Sequence, residues 1–328
     1  MTNQEILARL PALQVLVLGD ICLDRWCRYD PDAALPSAET GIPRIGVTSV
    51  EVTPGAGGTI ANNLAALGVK HVAVLGTIGQ DGFGWELKRA LDQRGIDSSL
   101  LVEVPDLLTF TYTKVINAAT DVEDCPRLDF IVKRPLSPDV EQTLIERFYA
   151  VAKDVDIVIV SDQAETSAGG VVTPAVRAAV QEFAASHPDT IVWVDSRARA
   201  ELYRGVILKP NQQEASEACM RAFGRLDHAA LREQTRAPLL LVTHGGRGVK
   251  LLDAAGEQWV ETPLVANPID ICGAGDSFTA GASCALAVTG DPVLAARFGN
   301  QVASITIMKR GTGTASPEEL LSHAHAGH

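Results

Sequence analysis

Short apolar runs rich in β-branched residues alternate with longer amphipathic stretches along most of this chain. Six such runs occupy residues 15–19, 72–76, 157–161, 191–195, 206–209 and 239–243. Continuous apolar runs of this length are typical of parallel strands that are buried on both faces. Helical periodicity falls between them, at residues 59–67, 83–94, 139–152, 171–185 and 212–222. The pattern predicts an α/β fold, a doubly wound and mostly parallel sheet with helices on both faces.

Two segments interrupt this alternation. Residues 28–52 are rich in Pro, Gly and alternating Thr/Val, and residues 108–133 alternate β-forming with polar residues. Both are typical of antiparallel strands with one solvated face. We expect them to form a small β lid over the carboxyl ends of the parallel strands, within a single domain that spans residues 1–328.

Charge and hydropathy exclude several classes of protein. The formal net charge of −12 argues against a nucleic-acid partner. No stretch reaches the roughly 18 apolar residues of a membrane span, and the N-terminus lacks the apolar region of a signal peptide. The six cysteines form no metal-binding spacing. We therefore expect a cytoplasmic protein without a membrane partner.

The sequence DICGAGD at residues 270–276, followed by small and apolar residues, is the strongest candidate for chemistry. Gly273 and Gly275 allow the backbone to turn tightly at the start of a helix, where free N–H groups and the helix dipole attract anions. Asp276 lies in the first turn beside that anion site. A base next to an anion hole is what phosphoryl transfer to a hydroxyl requires. The alternative is a glycine turn whose aspartate only caps the helix.

Further polar motifs follow the predicted strands. Asp20 and Asp24 lie after the first strand, where either could bind sugar hydroxyls, although a cap or salt bridge also explains Asp20. The glycines at 55, 57 and 58 open a helix that carries Asn62, whose amide can both donate to and accept from a hydroxyl. This segment is not G-x-G-x-x-G, which disfavours a dinucleotide-binding fold.

Two more motifs lie after later strands. Asn211 and Glu214 stand three residues apart after the strand ending at Lys209, so Glu214 could hold Mg²⁺ through water while Asn211 caps the helix. Thr243 and Gly245 belong to a glycine loop that could contact phosphates.

In this order and spacing, the motifs resemble the ribokinase-like, or PfkB, family of carbohydrate kinases across essentially the whole chain. The resemblance implies that Asp276 is the catalytic base and that Gly273, Ala274 and Gly275 form the anion hole. It further implies three binding sets: Asp24, Gly58 and Asn62 for sugar hydroxyls; Asn211, Thr243, Gly245, Asn267 and Asn300 for the nucleotide; and Glu214 for Mg²⁺.

Within the family, the chain looks most similar to the heptose-7-phosphate kinase domain of the lipopolysaccharide-precursor pathway. The residues that carry this likeness are Gly19-Asp20, Leu23-Asp24-Arg25-Trp26, Pro36-Ser37, Glu39, Pro43, Thr113-Lys114, Arg127-Leu128-Asp129-Phe130, Asp195 and Tyr203-Arg204-Gly205. Arg44, Lys114 and Arg127 are candidates to hold a substrate phosphate, with a solvated lid face as the alternative. The chain departs from that domain after Asp162, where Gln163 and Glu165 replace a turn containing glycine and lysine. No nucleotidyltransferase domain follows His328, so we expect a kinase without a second activity.

The sequence thus predicts a sugar kinase that uses ATP and Mg²⁺. It does not decide whether a monovalent cation assists. Its acceptor would be a sugar or a sugar phosphate, with heptose 7-phosphate as one candidate. The alternatives are a kinase of another small sugar or nucleoside, an idle sugar or nucleotide sensor on the same fold, and a dehydrogenase. Because an exposed lid has unpaired strand edges, we also expect a homodimer through the lid.

Overall fold

The computed structural model describes residues 1–33, 35–164 and 169–325, with side chains through residue 322. The α-helices are α1 (Asn3–Leu7), α2 (Gly57–Ala66), α3 (Gly82–Asp92), α4 (Pro138–Ala152), α5 (Pro174–Ser186), α6 (Gln212–Phe223), α7 (His228–Thr235), α8 (Ala274–Thr289), α9 (Pro292–Thr306) and α10 (Pro317–His325). The strands are β1 (Gln14–Gly19), β2 (Ile21–Tyr29), β3 (Val47–Ala56), β4 (His71–Leu75), β5 (Thr77–Gly79), β6 (Val102–Val104), β7 (Thr111–Asn117), β8 (Val122–Glu123), β9 (Leu128–Phe130), β10 (Ile157–Asp162), β11 (Ile191–Ser196), β12 (Ile207–Leu208), β13 (Leu240–Thr243), β14 (Val249–Asp253) and β15 (Gly256–Val260).

An eight-stranded sheet forms the centre of the molecule. Its order is β15-β14-β13-β12-β11-β10-β1-β4, and the six strands from β13 to β4 are parallel. These six are the strands predicted from the apolar runs, so the predicted fold class is confirmed. The hairpin β14–β15, which is antiparallel to β13 at the edge, was not predicted. Because β1 pairs with β4 on one side and β10 on the other, the chain leaves the sheet in opposite directions around β1, which creates a crevice at its carboxyl end.

Alternate residues of the strands feed two separate cores, one on each face of the sheet. In β1, Val15 and Val17 pack into a core shared with α2, α3, α8 and α9, whereas Leu16 and Leu18 pack into a core shared with α4, α5, α6 and α7. This is the period of two expected for a strand covered on both faces.

Side-chain caps set the starts of several helices. Ser137 caps α4 and Thr173 caps α5, each followed by a proline at the first helical position. The predicted helices therefore form close to their expected bounds. No helix in the described part of the chain combines the length and the apolar character of a membrane span.

The lid is a separate sheet of order β3-β2-β7-β8, with β9 also paired to β7. Most of its pairs are antiparallel, as expected, but β2 and β7 are parallel. The lid also begins earlier than predicted, because β2 starts at Ile21, two residues after β1 ends. Asp24 is consequently a lid residue, carried over the carboxyl ends of the parallel strands.

Candidate active site

The DICGAGD segment forms a tight turn into α8. Gly273 is the N-cap residue, with φ of 77° in the left-handed region, and it makes no side-chain capping bond. Asp276 is therefore not the helix cap. The backbone N–H of Ala274 donates to the carbonyl of Ile271 at 3.2 Å, whereas no described group accepts from the N–H groups of Gly275 and Asp276, which keep their hydrogen-bonding capacity for a ligand.

A second aspartate holds this turn in place. One carboxylate oxygen of Asp270 accepts from the backbone N–H of Cys272 at 2.9 Å, and the other accepts from the N–H of Gly311 at 3.1 Å. Asp270 thus ties the turn to the loop after α9. The turn is fixed before any substrate binds, as a pre-organised anion site requires.

One cavity of about 180 Å³ brings much of the predicted site together. Among the residues proposed from sequence, Asp24, Lys114 and Arg127 of the lid face Gly273 and Asp276 of the α8 turn across it. The other residues of the wall are Arg25, Trp26, Ala56, Thr59, Tyr112, Gln163, Arg197, Cys272 and Thr312. Lid and sheet thus meet around one enclosed space.

Gly58 and Asn62 do not line this cavity. Gly58 is buried in the first turn of α2, and Asn62 lies one turn further along that helix. The residue of α2 that reaches the cavity is Thr59, whose methyl group lies beside Gly273. Thr59 and Asn62 share one side of α2, but Asn62 lies about 4.5 Å further along the helix axis, away from the start of α2 that borders the cavity.

Arg44, the third cationic candidate of the lid, also lies outside the cavity wall. Its Nε donates to the carbonyl of Leu35 at 2.8 Å, and the residue is exposed.

Burial raises the pKa of Asp276 to about 8, and the nearby carboxylates of Asp195 and Asp24 act in the same direction. Lys209 and Arg197 oppose this rise. A carboxylate with a raised pKa is a better proton acceptor once it is ionised, which suits a general base.

Burial likewise raises the pKa of Asp24 to about 6, against the opposing charges of Lys114 and Arg127. Asp24 is therefore mainly ionised at neutral pH. An ionised carboxylate on the lid, facing the α8 turn, is a strong acceptor for ligand hydroxyl groups.

A buried ion pair lies beneath the α8 turn. Lys209 Nζ is 2.7 Å from Asp195 Oδ2, and both side chains are at most 6% exposed. Thr279 of α8 donates its hydroxyl to the same oxygen at 3.2 Å. The helix that carries Asp276 is thus anchored on the ends of β11 and β12.

Asp20 has a structural part beside the site. It is 3% exposed, and its carboxylate accepts from the backbone N–H groups of Gln163, Ala164 and Val171 at 2.8 to 2.9 Å. These bonds fix the turn that places Gln163 in the cavity wall. Of the two aspartates after β1, only Asp24 therefore faces the cavity. Glu165, the second difference from the heptose kinase domain, lies outside the described residues.

Arg197 reaches the cavity from a turn that a second buried ion pair fixes. Asp162 accepts from Arg199 at 2.7 Å, from the Ser196 hydroxyl at 2.7 Å and from the Tyr203 hydroxyl at 3.1 Å. These contacts hold the turn after β11.

Asn211, Thr243 and Gly245 line a second, open cavity of about 660 Å³ beyond the ends of β12 and β13. Asn211 and Glu214 form a reciprocal capping box at the start of α6, with bonds of 2.8 and 2.9 Å. The predicted cap is present, and it uses one carboxylate oxygen of Glu214.

Asn267 and Asn300 are the two remaining residues that were proposed for the nucleotide. Asn267 is exposed in the loop before α8, with φ of 54°. Asn300 is buried in α9 and donates to the carbonyl of Glu261 at 3.2 Å. Neither lines either of the two cavities.

Thr59, Gln163, Arg197 and Lys209 were not selected from sequence. Lys209 and Arg197 had a usable signal, because each follows a predicted parallel strand at the functional edge. Thr59 and Gln163 had none, since their placement depends on the phase of α2 and on the bonds made by Asp20.

Comparison with known proteins identifies the family of this chain. The pfkB family carbohydrate kinase model matches residues 14–319. The Bifunctional protein HldE of Trichlorobacter lovleyi is 33% identical over 333 residues, which cover 99% of this chain and 65% of that protein. This chain therefore spans less than two thirds of that relative's length.

Solved structures show the same fold at lower identity. Phosphofructokinase-2 of Escherichia coli in complex with potassium has a TM-score of 0.73 at 20% identity, covering 96% of this chain and 100% of that one. Arabidopsis thaliana ribokinase complexed with ribose and ATP has a TM-score of 0.68 at 19% identity, covering 94% and 98%. The chain belongs to the pfkB family of carbohydrate kinases and has the ribokinase-like fold.

Proposed function

We propose that this enzyme transfers the γ-phosphoryl group of ATP to a hydroxyl of a sugar or sugar phosphate, with Asp276 as the general base. The observation that carries the proposal is the cavity in which Asp276 and the uncapped start of α8 face Asp24 and the basic lid residues.

In the proposed reaction, Asp276 accepts the proton of the acceptor hydroxyl as its oxygen attacks the γ-phosphorus. The bond from that phosphorus to the β–γ bridging oxygen breaks, and ADP leaves. The N–H groups at the start of α8, from Gly273, Ala274 and Gly275, hold the charge on the moving phosphoryl group. The protein contributes position and electrostatics.

Asp24 is the proposed anchor for the acceptor's other hydroxyl groups, because it is an ionised acceptor on the opposite wall of the cavity. In place of Gly58 and Asn62 we propose Thr59, the residue of α2 that reaches the cavity; its hydroxyl donates to the carbonyl of Pro54 at 3.3 Å and would accept from a hydroxyl of the sugar.

Basic lid residues support a phosphorylated acceptor. Lys114 lies 4.0 Å from Glu123, its ion-pair partner, and it lines both the catalytic cavity and an adjoining one of about 410 Å³. Arg28 and Arg310 also line that second cavity, where both pair with Asp121, and Glu51, Glu123 and Asp270 lie in the same wall. An acceptor longer than a pentose could extend there from Asp276, with its phosphate near Lys114 and Arg127. Heptose 7-phosphate meets this description, and the resemblance to the heptose-7-phosphate kinase domain implies it.

The ATP phosphates are proposed to lie along Asn211, Thr243 and Gly245, in the open cavity at the ends of β12 and β13. For the adenine we retain Asn267 and Asn300 as the proposed neighbours, near the loop that follows β15. The family neighbour complexed with ribose and ATP supports ATP as the donor.

Glu214 fits a water-mediated Mg²⁺ site. One of its oxygens is used in the capping box, which leaves the other for a hydrated ion. Within the described residues no group of three His, Cys, Asp or Glu side chains could hold a metal alone. Mg²⁺ bound to ATP suits such a site, because it keeps most of its waters and would neutralise phosphate charge. We include a monovalent cation as a further cofactor, because phosphofructokinase-2 of Escherichia coli was solved in complex with potassium.

We further propose a homodimer through the lid, working in the cytoplasm where ATP is available. The support is β3, which forms one edge of the lid sheet and exposes Val47 and Val50. Apolar side chains on an unpaired strand edge favour pairing with a second chain.

Release of ADP over a panel of acceptors tests the proposed activity. The panel should contain heptose 7-phosphate, ribose, fructose 6-phosphate and nucleosides. We expect ADP release that depends on one class of acceptor, with phosphorylated sugars most active. Binding of ATP without ADP release for any acceptor would instead support an idle sensor on the same fold.

A further inference from the structure

The Lys209–Asp195 pair has a position that packing alone does not explain. The parallel register pairs Val194 with Leu208, which places Asp195 and Lys209 at the next step of β11 and β12. Trp193 and Ile207, two residues before them, pack in the core shared with α8. Because side chains alternate along a strand, Asp195 and Lys209 point to the same face, under the start of α8.

The turn approaches this pair closely. A Cβ atom on Gly275 would lie 3.3 Å from Lys209 Nζ, so the ammonium lies against the backbone of the anion-hole turn. Gly275 and Thr279 are four residues apart and therefore share one face of α8, and Thr279 donates to Asp195. Asp276 follows Gly275 directly. The first turn of α8 thus rests on a buried cation that a carboxylate holds in place.

We propose that Lys209, held by Asp195, is a positioning residue that places a fixed positive charge beneath the turn at residues 273–276. This inference rests on the proposed function. In that position the charge adds to the field of the backbone N–H groups where negative charge develops. It also offsets the carboxylates that surround Asp276.

The groups that face Asp276 define the expected behaviour. They are Asp195, Asp24, Lys209 and Arg197, with Lys114 and Arg127 across the cavity; Glu214 lies near Lys209 and Asp195, and the thiols Cys22 and Cys272 lie nearby. Burial and the two carboxylates raise the pKa of Asp276, and Lys209 and Arg197 lower it. Removing Lys209 should therefore raise that pKa further, whereas removing the charge of Asp195 should lower it. If the two residues had only a structural part, the two substitutions would not be expected to shift the pKa of Asp276 in opposite directions.

The test compares Lys209→Met, Asp195→Asn and the double variant by the acidic limb of kcat/KM against pH. We expect Lys209→Met to move the limb up by about one pH unit, with kcat/KM near pH 7 falling by about 10-fold, and Asp195→Asn to move it down by about one unit. Lys250→Met is the matched control. The ammonium of Lys250 pairs with Glu257 at a distance of 2.7 Å on the edge strands β14 and β15. The acidic limb of the Lys250→Met variant should therefore coincide with that of the unmodified enzyme.

The double variant covers the case in which a single variant fails to fold, because it removes both charges together. Its limb should lie close to that of the unmodified enzyme. Single variants that leave the limb in place, or that both move it in one direction, would overturn the inference. A double variant whose acidic limb moves as far as that of Lys209→Met would also overturn it.

A second readout separates this inference from the proposed function. The carboxyl ¹³C signal of Asp276, assigned by its loss in Asp276→Asn, can be titrated without turnover. Opposite shifts of that signal in Lys209→Met and Asp195→Asn support the inference even if no acceptor is phosphorylated. An unmoved signal contradicts it even in an active kinase.

Discussion

At the scale of single residues, the site depends on carboxylates whose environments differ. The carboxylate of Asp20 accepts hydrogen bonds from three backbone N–H groups. Asp24 faces two cations, and Asp276 lies near other carboxylates. Asp20 thus serves as a brace, while we propose Asp24 as a hydroxyl acceptor and Asp276 as the base. The surroundings of each, more than its identity, set its part in the chemistry.

The pKa of Asp276 predicts the pH dependence of the free enzyme. A base must be ionised to accept a proton, so kcat/KM should increase with pH until the pKa of about 8 is passed and then level off. The measurement is the initial rate of ADP release at low acceptor concentration, across pH 6 to 9.5. A flat profile over that range contradicts this assignment.

The charge of Lys114 predicts selectivity for phosphorylated acceptors. Lys114→Met should raise KM for a sugar phosphate by about 10-fold or more, because a charge-assisted contact contributes about 1.5–3 kcal/mol. KM for ATP should not change. Lys133→Met, at an exposed residue of the same lid segment that lies outside both cavities, is the matched control. Equal effects of the two substitutions count against a phosphate site at Lys114.

The position of Thr59 can be tested against that of Asn62. Thr59→Val keeps the shape but removes the hydroxyl, whereas Asn62→Ala changes a residue outside the cavity. We expect the first to raise KM for the acceptor severalfold and the second to leave it nearly unchanged. The reverse order restores Asn62 as the residue of α2 that binds the sugar.

At the scale of helices and strands, the sequence predicted whatever depended on local pattern. The six parallel strands follow from continuous apolar runs, and the turn into α8 follows from the glycines beside Asp276. Thr59 could not be found in this way, because the start of α2 at Gly57 sets its phase. Nor could the Lys209–Asp195 pair, which depends on the register of β11 with β12. The early start of β2 and its parallel pairing with β7 are likewise long-range properties.

The exposed edge of β3 predicts the oligomeric state. If this edge pairs with a second chain, Val50→Lys should shift the protein from dimer toward monomer, since a charge on an edge strand opposes pairing. Light scattering coupled to gel filtration measures the mass directly. Trp85→Lys, at an exposed residue of α3 outside the lid, controls for a general effect of surface charge. A monomeric unmodified protein contradicts the dimer.

At the scale of the whole molecule, the active site is a source of instability. The folded pKa of Asp276, about 8, lies above the ordinary value of 3.8, so the native state binds an extra proton between these values. Stability contributed by this group is therefore present at acid pH and decreases as pH rises toward 8. A destabilised carboxylate is the cost that we expect for the proposed base.

The raised pKa of Asp276 predicts that Asp276→Asn is more stable than the unmodified protein at alkaline pH. The gain in the free energy of unfolding should be on the order of 1–2 kcal/mol at pH 8.5. It should disappear near pH 4, where the folded-state side chain at position 276 is uncharged in both proteins. Urea unfolding at the two pH values measures the difference. A gain that is equal at both, or larger at pH 4, has the wrong sign for a raised pKa.

The central claim is that Asp276 is the base of a sugar kinase, and its most direct test is ADP release by Asp276→Asn with the best acceptor of the panel. General-base assistance is typically worth about 10²–10⁴-fold, so kcat should fall by that factor while the variant stays folded and still binds ATP. A variant that releases ADP at the rate of the unmodified enzyme would contradict the account.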